Sequence, residues 1–200
     1  MKHFNEFEHL IDYLISLPGI SRKQAEQICT FLVNENENNI DQFIDSINKL
    51  RANIHLCEQC NNISNKLLCD ICANSAREKN KLCIVTTSED LRKIEETNSY
   101  YGLYFVLNDE INVKGKNKIN KETIQKLIHY LNANKFNEII LATNWTANGE
   151  ATAYFLKGLI NEYLPNTKLY RLAVGLPINS ALNYADSETL SHAIKNKTKY

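Results

Sequence analysis

Four cysteines stand in two C-x-x-C pairs, Cys57-Glu-Gln-Cys60 and Cys69-Asp-Ile-Cys72, separated by eight residues. A two-residue gap lets both sulfurs of a pair reach one ion, and two pairs complete the tetrahedral four-thiolate shell of structural zinc. One zinc per chain is therefore expected on Cys57, Cys60, Cys69 and Cys72. All four positions would be filled by protein, so the ion would hold the fold and not catalyse. Asn61, Asn62, Ser64 and Asn65 give the short connector the composition of a tight turn. Two disulfides are the alternative for this spacing, disfavoured in a reducing compartment, and C-x-x-C redox chemistry is a further one.

A second polar group lies in Ala142-Thr143-Asn144-Trp145-Thr146-Ala147-Asn148-Gly149-Glu150-Ala151. Asn144 and Thr146 offer an amide and a hydroxyl, poor ligands for a hard divalent cation that wants anionic oxygen. Glu150 alone cannot supply both a general acid and a metal cluster. A carboxylate at a helix start is also simply favoured by the macrodipole. A third group is Leu17-Pro18-Gly19-Ile20-Ser21-Arg22-Lys23. There Pro18 ends one helix, Gly19 gives a permissive backbone, and Ser21 with Gln24 forms a capping box for the next. Backbone amides and a helix N-terminus placed in this way can meet a phosphate, which makes Gly19, Ser21, Arg22 and Lys23 candidate DNA contacts. An ordinary packed helix pair would show much the same pattern.

The elements that carry these groups follow from periodicity. Phe4, Phe7, Leu10, Ile11 and Leu14 predict a first helix, Ala25, Ile28, Cys29 and Leu32 a second, and Ile40, Phe43, Ile44, Ile47 and Leu50 a third. Beyond the cysteines, strands are predicted at 82–86, 103–107, 139–143 and 169–174. Ser88-Glu89-Asp90 should cap and charge one helix, a second should contain Ile124, Leu127, Ile128 and Leu131, and a third should run from about Gly149 to Leu164. This alternation predicts a mostly parallel sheet covered on both faces, with its sites at the carboxyl ends of the strands. Thr86, Asp109, the Asn144 loop and the loop after Val174 are the positions so indicated. Cys29 and Cys83, outside the pairs, fit apolar core positions.

The chain of 200 residues balances 23 basic against 23 acidic side chains, so any nucleic-acid contact must come from local patches. The first 54 residues hold more acids than bases. Lys2, Glu6, Glu8 and Asp12 interrupt any signal-type run and no stretch is long enough to span a membrane, so a cytoplasmic protein with reduced thiols is expected. The phosphate loop G-x-x-x-x-G-K-[ST] is missing from the sequence, and ATP hydrolysis is not expected.

The Leu17–Lys23 turn resembles a helix-hairpin-helix, with Ser21 where its second glycine commonly stands. The Ala142–Ala151 loop resembles the Toprim signature A-T-D-P-D-R-E-G-E-A of type IA topoisomerases and primases, in which two aspartates hold magnesium and a first-strand glutamate acts as acid or base. Asn144, Thr146 and Thr86 stand at or near those positions here. With the cysteine pairs and the tail Gly175-Leu-Pro177, Leu182-Asn-Tyr184-Ala185-Asp186 and Thr189-Leu190, nearly the whole chain resembles the bacterial recombination mediator family RecR. It departs from that family's usual text at Ser21, Thr86, Asn148, Val174, Asn179, Ser180 and Asn183, and in the loop between Leu107 and Ile124.

The resemblance implies an α+β multi-module chain: a helix-hairpin-helix region over 1–54, a four-cysteine zinc finger over 55–78, a Toprim-like α/β domain over 79–174 and a C-terminal tail over 175–200. It implies a non-enzymatic DNA repair and recombination mediator, a homo-oligomer (dimer or tetrameric ring) that acts with RecO and RecF partners to load recombinase on single-stranded DNA. Asn144 and Glu150 are then candidate partner-binding residues. Asp186, likened in the family to a Walker B acid, is read here as a cap of the last helix or a subunit contact. The rivals are a magnesium-dependent Toprim nuclease or topoisomerase-type enzyme and a zinc-containing interaction protein with no DNA role. The loop lysines Lys114, Lys116 and Lys118 compete with the hairpin as a DNA contact and equally suit a negatively charged partner.

Overall fold

The structure is a computed structural model that describes residues 4–115, 118–179, 181–197 and 199. Lys2, Lys116 and Ser180, singled out above, lie outside the described residues. The chain divides into two compact units, Met1–Asn53 and Ile54–Tyr200.

The first unit holds helices α1 (Asn5–Ile15), α2 (Arg22–Asn34) and α3 (Glu37–Asn53). Ile11, Ala25 and Cys29 are buried where α1 meets α2, with Phe7, Leu14 and Ile20 packed around them. The turn between the two helices has Gly19 at φ +79°, a conformation that L side chains rarely adopt. Ser21 caps α2 as expected: its hydroxyl accepts from the Gln24 amide, and the Gln24 side chain accepts from the Ser21 amide at 2.8 Å. α3 has no buried residue among those described, and Phe43, Ile44, Ile47 and Leu50 are all exposed.

The second unit opens with a two-stranded antiparallel ribbon, β1 (His55–Leu56) and β2 (Ile63–Ser64), then the short helix α4 (Asp70–Ala73). The sheet follows: β3 (Glu78–Val85), α5 (Ser88–Glu96), β4 (Gly102–Val106), α6 (Lys121–Ala133), β5 (Glu138–Ala142), α7 (Ala147–Tyr163) and β6 (Lys168–Arg171). A three-residue turn of helix at Leu182–Tyr184 and α8 (Ser187–Lys195) complete it. The four main strands are all parallel, in the order β4-β3-β5-β6.

That order explains where the helices sit. Parallel crossovers are right-handed, so the direction of travel across the sheet decides the face each helix covers. The step from β3 to β4 goes one way, and the steps β4 to β5 and β5 to β6 go the other. α5 therefore packs on one face, where Cys83, Val85, Tyr104, Val106 and Leu91 are buried. α6 and α7 pack on the opposite face over Leu82, Ile84, Leu103, Phe105, Ile139 and Leu141. The strand residues alternate between the two clusters with period two, and each large apolar side chain buried in this way contributes about 1.5–3 kcal/mol.

Three sequence expectations shift. α5 is capped by Thr87, not Ser88: the Thr87 hydroxyl accepts from the Asp90 amide at 3.1 Å, and the Asp90 carboxylate accepts from the Thr87 amide at 2.9 Å. α7 begins at Ala147, two residues before Gly149, because Thr146 supplies the cap by accepting from the Gly149 amide at 3.1 Å. The last strand ends at Arg171, short of Val174, where the Arg171 side chain turns to the loops described below. Cys29 and Cys83 are buried core residues, as expected.

Candidate metal centre and loop cluster

The cysteine cluster is assembled by local backbone geometry. Asn61 adopts φ +62°, which asparagine tolerates better than most residues, and the turn closes with the Cys57 amide donating to Asn62 O at 2.7 Å and the Asn61 amide to Cys57 O at 3.0 Å. This places Cys57 and Cys60 side by side. Cys69 precedes α4 and Cys72 lies on it, and the Cys69 amide donates to Cys57 Sγ at 3.3 Å. The four sulfurs all lie within 4.8 Å of one another. A tetrahedral shell with metal–sulfur bonds of about 2.3 Å has edges of about 3.8 Å, so the spacing fits a single ion. Cys60 Sγ and Cys69 Sγ are 3.5 Å apart, far beyond a sulfur–sulfur bond, and all four cysteines are free thiols, so the disulfide alternative is not what the structure shows. Crowding perturbs the thiols: hydrogen bonding with Cys60, then Cys69, pulls Cys57 far below the ordinary thiol range, and the same bond with Cys57 pushes Cys60 far up. A bound cation would replace that sharing of protons by four thiolates.

The knuckle formed by these turns is fixed to β4, the edge of the sheet. The Val106 amide donates to Cys60 O at 2.8 Å, the Asn61 side-chain amide to Val106 O at 3.0 Å, and Asn108 Nδ2 to Asn61 O at 2.9 Å. The knuckle thus takes up backbone groups that an edge strand otherwise leaves open.

The second constellation lies at the carboxyl ends of β3, β5 and β6, around the point where the strand order reverses and doubly wound sheets place their ligands. Gly149 fits here because a Cβ would overlap the Asn144 carbonyl. Thr143 Oγ1 donates to Gly149 O at 2.9 Å and so ties the loop to the first turn of α7. Arg171 holds the cluster together: Nη1 donates to Thr143 Oγ1 at 2.6 Å, Nη2 donates to Asn144 O at 3.2 Å and pairs with Glu150. Its guanidinium lies 4.5 Å from the Trp145 ring centroid, and Trp145 meets His192 of α8 edge-on at 5.5 Å.

Glu110 enters the same cluster from the loop after β4. Its Oε1 accepts from Thr86 Oγ1 at 3.1 Å and from Asn144 Nδ2 at 2.9 Å. Asp109, the acid indicated by sequence, instead accepts from the Glu110 amide at 2.9 Å. Thr86, Asn144 and Glu150 are therefore brought together, with Thr146 as the helix cap. Glu110 and Arg171 were missed by sequence reasoning. The polar end of a strand in Leu169-Tyr-Arg171 was the one available signal for Arg171, and Glu110 had none beyond its place after a strand. Among the described residues, the cysteines form the one group of three or more Cys, His, Asp or Glu with ligand atoms close enough to share an ion.

Of the candidate DNA contacts, Arg22 is engaged with Glu8 at 2.7 Å and Glu26 at 3.3 Å, and its pKa is raised first by the Glu8 hydrogen bond. Lys23 is exposed at the start of α2. Asp186 caps α8, accepting from the Thr189 amide at 2.8 Å, and that bond holds its carboxyl below the ordinary aspartate value. Lys114 and Lys118 are exposed on the loop before α6. No helix among the described residues is long and apolar enough to cross a membrane.

Comparison with known proteins agrees with this layout. A family model described as the Toprim domain matches residues 80–173, and one described as RecR, C-terminal, matches residues 175–198. Proteins named Recombination protein RecR are similar over nearly the full length. That of Ureaplasma urealyticum serovar 10 is 43% identical over 97% of this chain and 96% of its own. That of Mycoplasmopsis pulmonis is 39% identical over 95% and 96%, and that of Dehalococcoides mccartyi 37% identical over 96% and 93%.

Proposed function

The chain belongs to the RecR family of recombination proteins, and from that membership we propose that it is a non-enzymatic mediator of DNA repair and recombination in the cytoplasm. It would act with RecO- and RecF-type partners to load recombinase on single-stranded DNA. The observation that carries the non-enzymatic part is the composition of the loop cluster. Where a Toprim enzyme needs metal-holding aspartates, Asn144 and Thr146 present an amide and a hydroxyl, and the carboxylates nearby are already engaged, Glu150 by Arg171 and Glu110 by Thr86 and Asn144. Such a cluster is suited to presenting a shaped surface to a partner, with Asn144 and Glu150 at its exposed side. A divalent-dependent nuclease or topoisomerase would need anionic oxygens converging on a metal.

In this proposal zinc is the ion of the cysteine cluster, one per chain, and Cys57, Cys60, Cys69 and Cys72 hold it. Its chemistry is structural: it ties the knuckle that lies on β4. The four modules 1–54, 55–78, 79–174 and 175–200 belong to the same proposal. So do the helix-hairpin-helix assignment of the α1–α2 turn and a homo-oligomer, dimer or tetrameric ring, that repeats a weak DNA contact. A near-neutral chain with an acidic N-terminal region holds DNA usefully only by such repetition. Gly19, Ser21, Arg22 and Lys23 are the proposed contacts, with Lys23 the principal charge because Arg22 must first leave Glu8 and Glu26.

The test is recombinase loading on single-stranded DNA coated with single-strand-binding protein, with and without a cognate RecO protein. Stimulation that requires both proteins is expected. Lys23→Glu should weaken DNA binding and reduce its salt dependence by roughly one phosphate contact per engaged chain. Failure of the wild type to stimulate loading, or divalent-dependent cleavage lost in Glu150→Gln, overturns the proposal.

A further inference from the structure

The loop between β4 and α6 forms one wall of an apolar groove of about 470 Å³ that plays no part in the metal centre or the Arg171 cluster. Ile111, Ile119, Ile124 and Phe155 line it, and Lys118 and Lys121 stand at it. Ile119 is buried, Ile111 and Ile124 are half-buried, and Phe155 is 40% exposed. The wall is tethered: the Ile111 amide donates to Thr152 Oγ1 at 2.9 Å and the Val113 amide to Asn148 Oδ1 at 3.0 Å, both on α7. The groove is thus preformed, as binding sites usually are.

Charge narrows what fits it. The groove has no carboxylate among its described lining residues. Lys118 and Lys121 line it and Lys114 is exposed on the same loop, while Glu110, the acid of that loop nearest to Ile111, is taken up by Thr86 and Asn144. A local basic excess attracts anions, and the aliphatic floor selects among them. A phosphodiester backbone has nothing to bury against three isoleucines, whereas a peptide with an apolar side chain beside carboxylates satisfies both floor and rim. The apolar anchor would supply most of the affinity, and the lysines would supply orientation and faster encounter.

We propose that the groove between the β4–α6 loop and α7 docks an acidic peptide segment of a partner protein, anchored by one or two large apolar side chains on Phe155 and Ile124 and held by Lys118 and Lys121. This surface is separate from the Asn144 and Glu150 cluster, and the proposal stands or falls independently of recombinase loading.

The test selects short random peptides displayed on phage against the full-length, metal-loaded protein. The affinity of the recovered peptides is then measured by fluorescence anisotropy on wild type, Lys118→Glu/Lys121→Glu and Phe155→Ser. Circular dichroism and metal content confirm that each variant is folded. Recovered sequences should place Asp or Glu next to Leu, Ile or Phe. Each variant should lose roughly tenfold or more in affinity, and added salt should weaken wild-type binding. Recovery of no peptide, of peptides without that signature, or of peptides indifferent to both variants overturns the proposal. So does loss of single-stranded DNA binding in the double lysine variant with no peptide recovered, which would make the loop a nucleic-acid contact.

Discussion

The cysteine cluster and the loop cluster at the carboxyl end of the sheet are both built from short motifs, yet their donors behave in opposite ways. In the first, four sulfurs converge within 4.8 Å and crowd one another's protons, an arrangement that one cation relieves. In the second, the donors are matched pairwise, Arg171 with Glu150 and Glu110 with Thr86 and Asn144. A convergent set of like donors asks for an ion, and a set of complementary partners satisfies itself. The contrast separates a site whose donors can share one ion from a site whose donors are already paired with one another.

The largest effect expected from breaking this contrast is at the metal. Cys60→Ser should abolish stoichiometric zinc by elemental analysis and remove a large part of a metal-linked folding energy on the order of 10 kcal/mol. Because protons compete with the ion for thiolates, acidification in the presence of a chelator should unfold the wild type at a higher pH than acid alone. A metal-free chain with native stability would refute the convergent reading.

Gly149→Ala comes next, since the added methyl must displace the Asn144 carbonyl from a turn that Thr143 and Arg171 both hold. Urea unfolding should show a loss of about 3 kcal/mol, the upper range for overpacking. A neutral result would mean that the loop is loosely held and that the pairwise description of the cluster is wrong.

Arg171→Ala should cost about 1–2 kcal/mol, less than a fully buried ion pair would, because Glu150 is half exposed and solvent screens it. Trp145 is the sole tryptophan, so its emission reports directly on loss of the guanidinium against its ring. Arg171→Lys should not restore the wild-type spectrum, because an ammonium cannot span Thr143, Asn144 and Glu150 together.

Asn144→Asp gives the smallest change and the sharpest comparison, for it replaces a donor to Glu110 by a second carboxylate at the same place. The repelling pair should raise its shared pKa in the folded state. Stability relative to wild type should then be intact at low pH, where the pair holds a proton, and fall by about 1 kcal/mol as pH rises to neutrality and both ionise. Millimolar magnesium should recover the loss in the variant and leave wild type unchanged, as read by thermal unfolding. Equal responses of the two proteins would show that the amide at position 144 is not what makes the cluster self-satisfied.

Much of this architecture can be read locally. The ligand set Cys57, Cys60, Cys69 and Cys72 follows from spacing, the Ser21–Gln24 capping box from a four-residue pattern, and the parallel sheet from alternating apolar runs. The cap expected at Ser88 and found at Thr87 shows the limit of such patterns, since the adjacent Thr87 and Ser88 are both competent and the backbone selects between them. The position of Asp186 at the start of α8 was legible for the same reason as Ser21.

What the sequence determined by itself is therefore what lies within a few residues along the chain: thiol pairs, caps, turns and the two-residue period of buried strands. Only the tertiary structure decided that Glu110 reaches Thr86 and Asn144, that Arg171 spans Thr143 to Glu150, and that the cysteine knuckle lies on the edge of β4. Those partners are 21 to 47 residues apart in sequence. Their meeting depends on strand order and on the right-handed crossovers that set which strand ends lie side by side, and no local spacing encodes that.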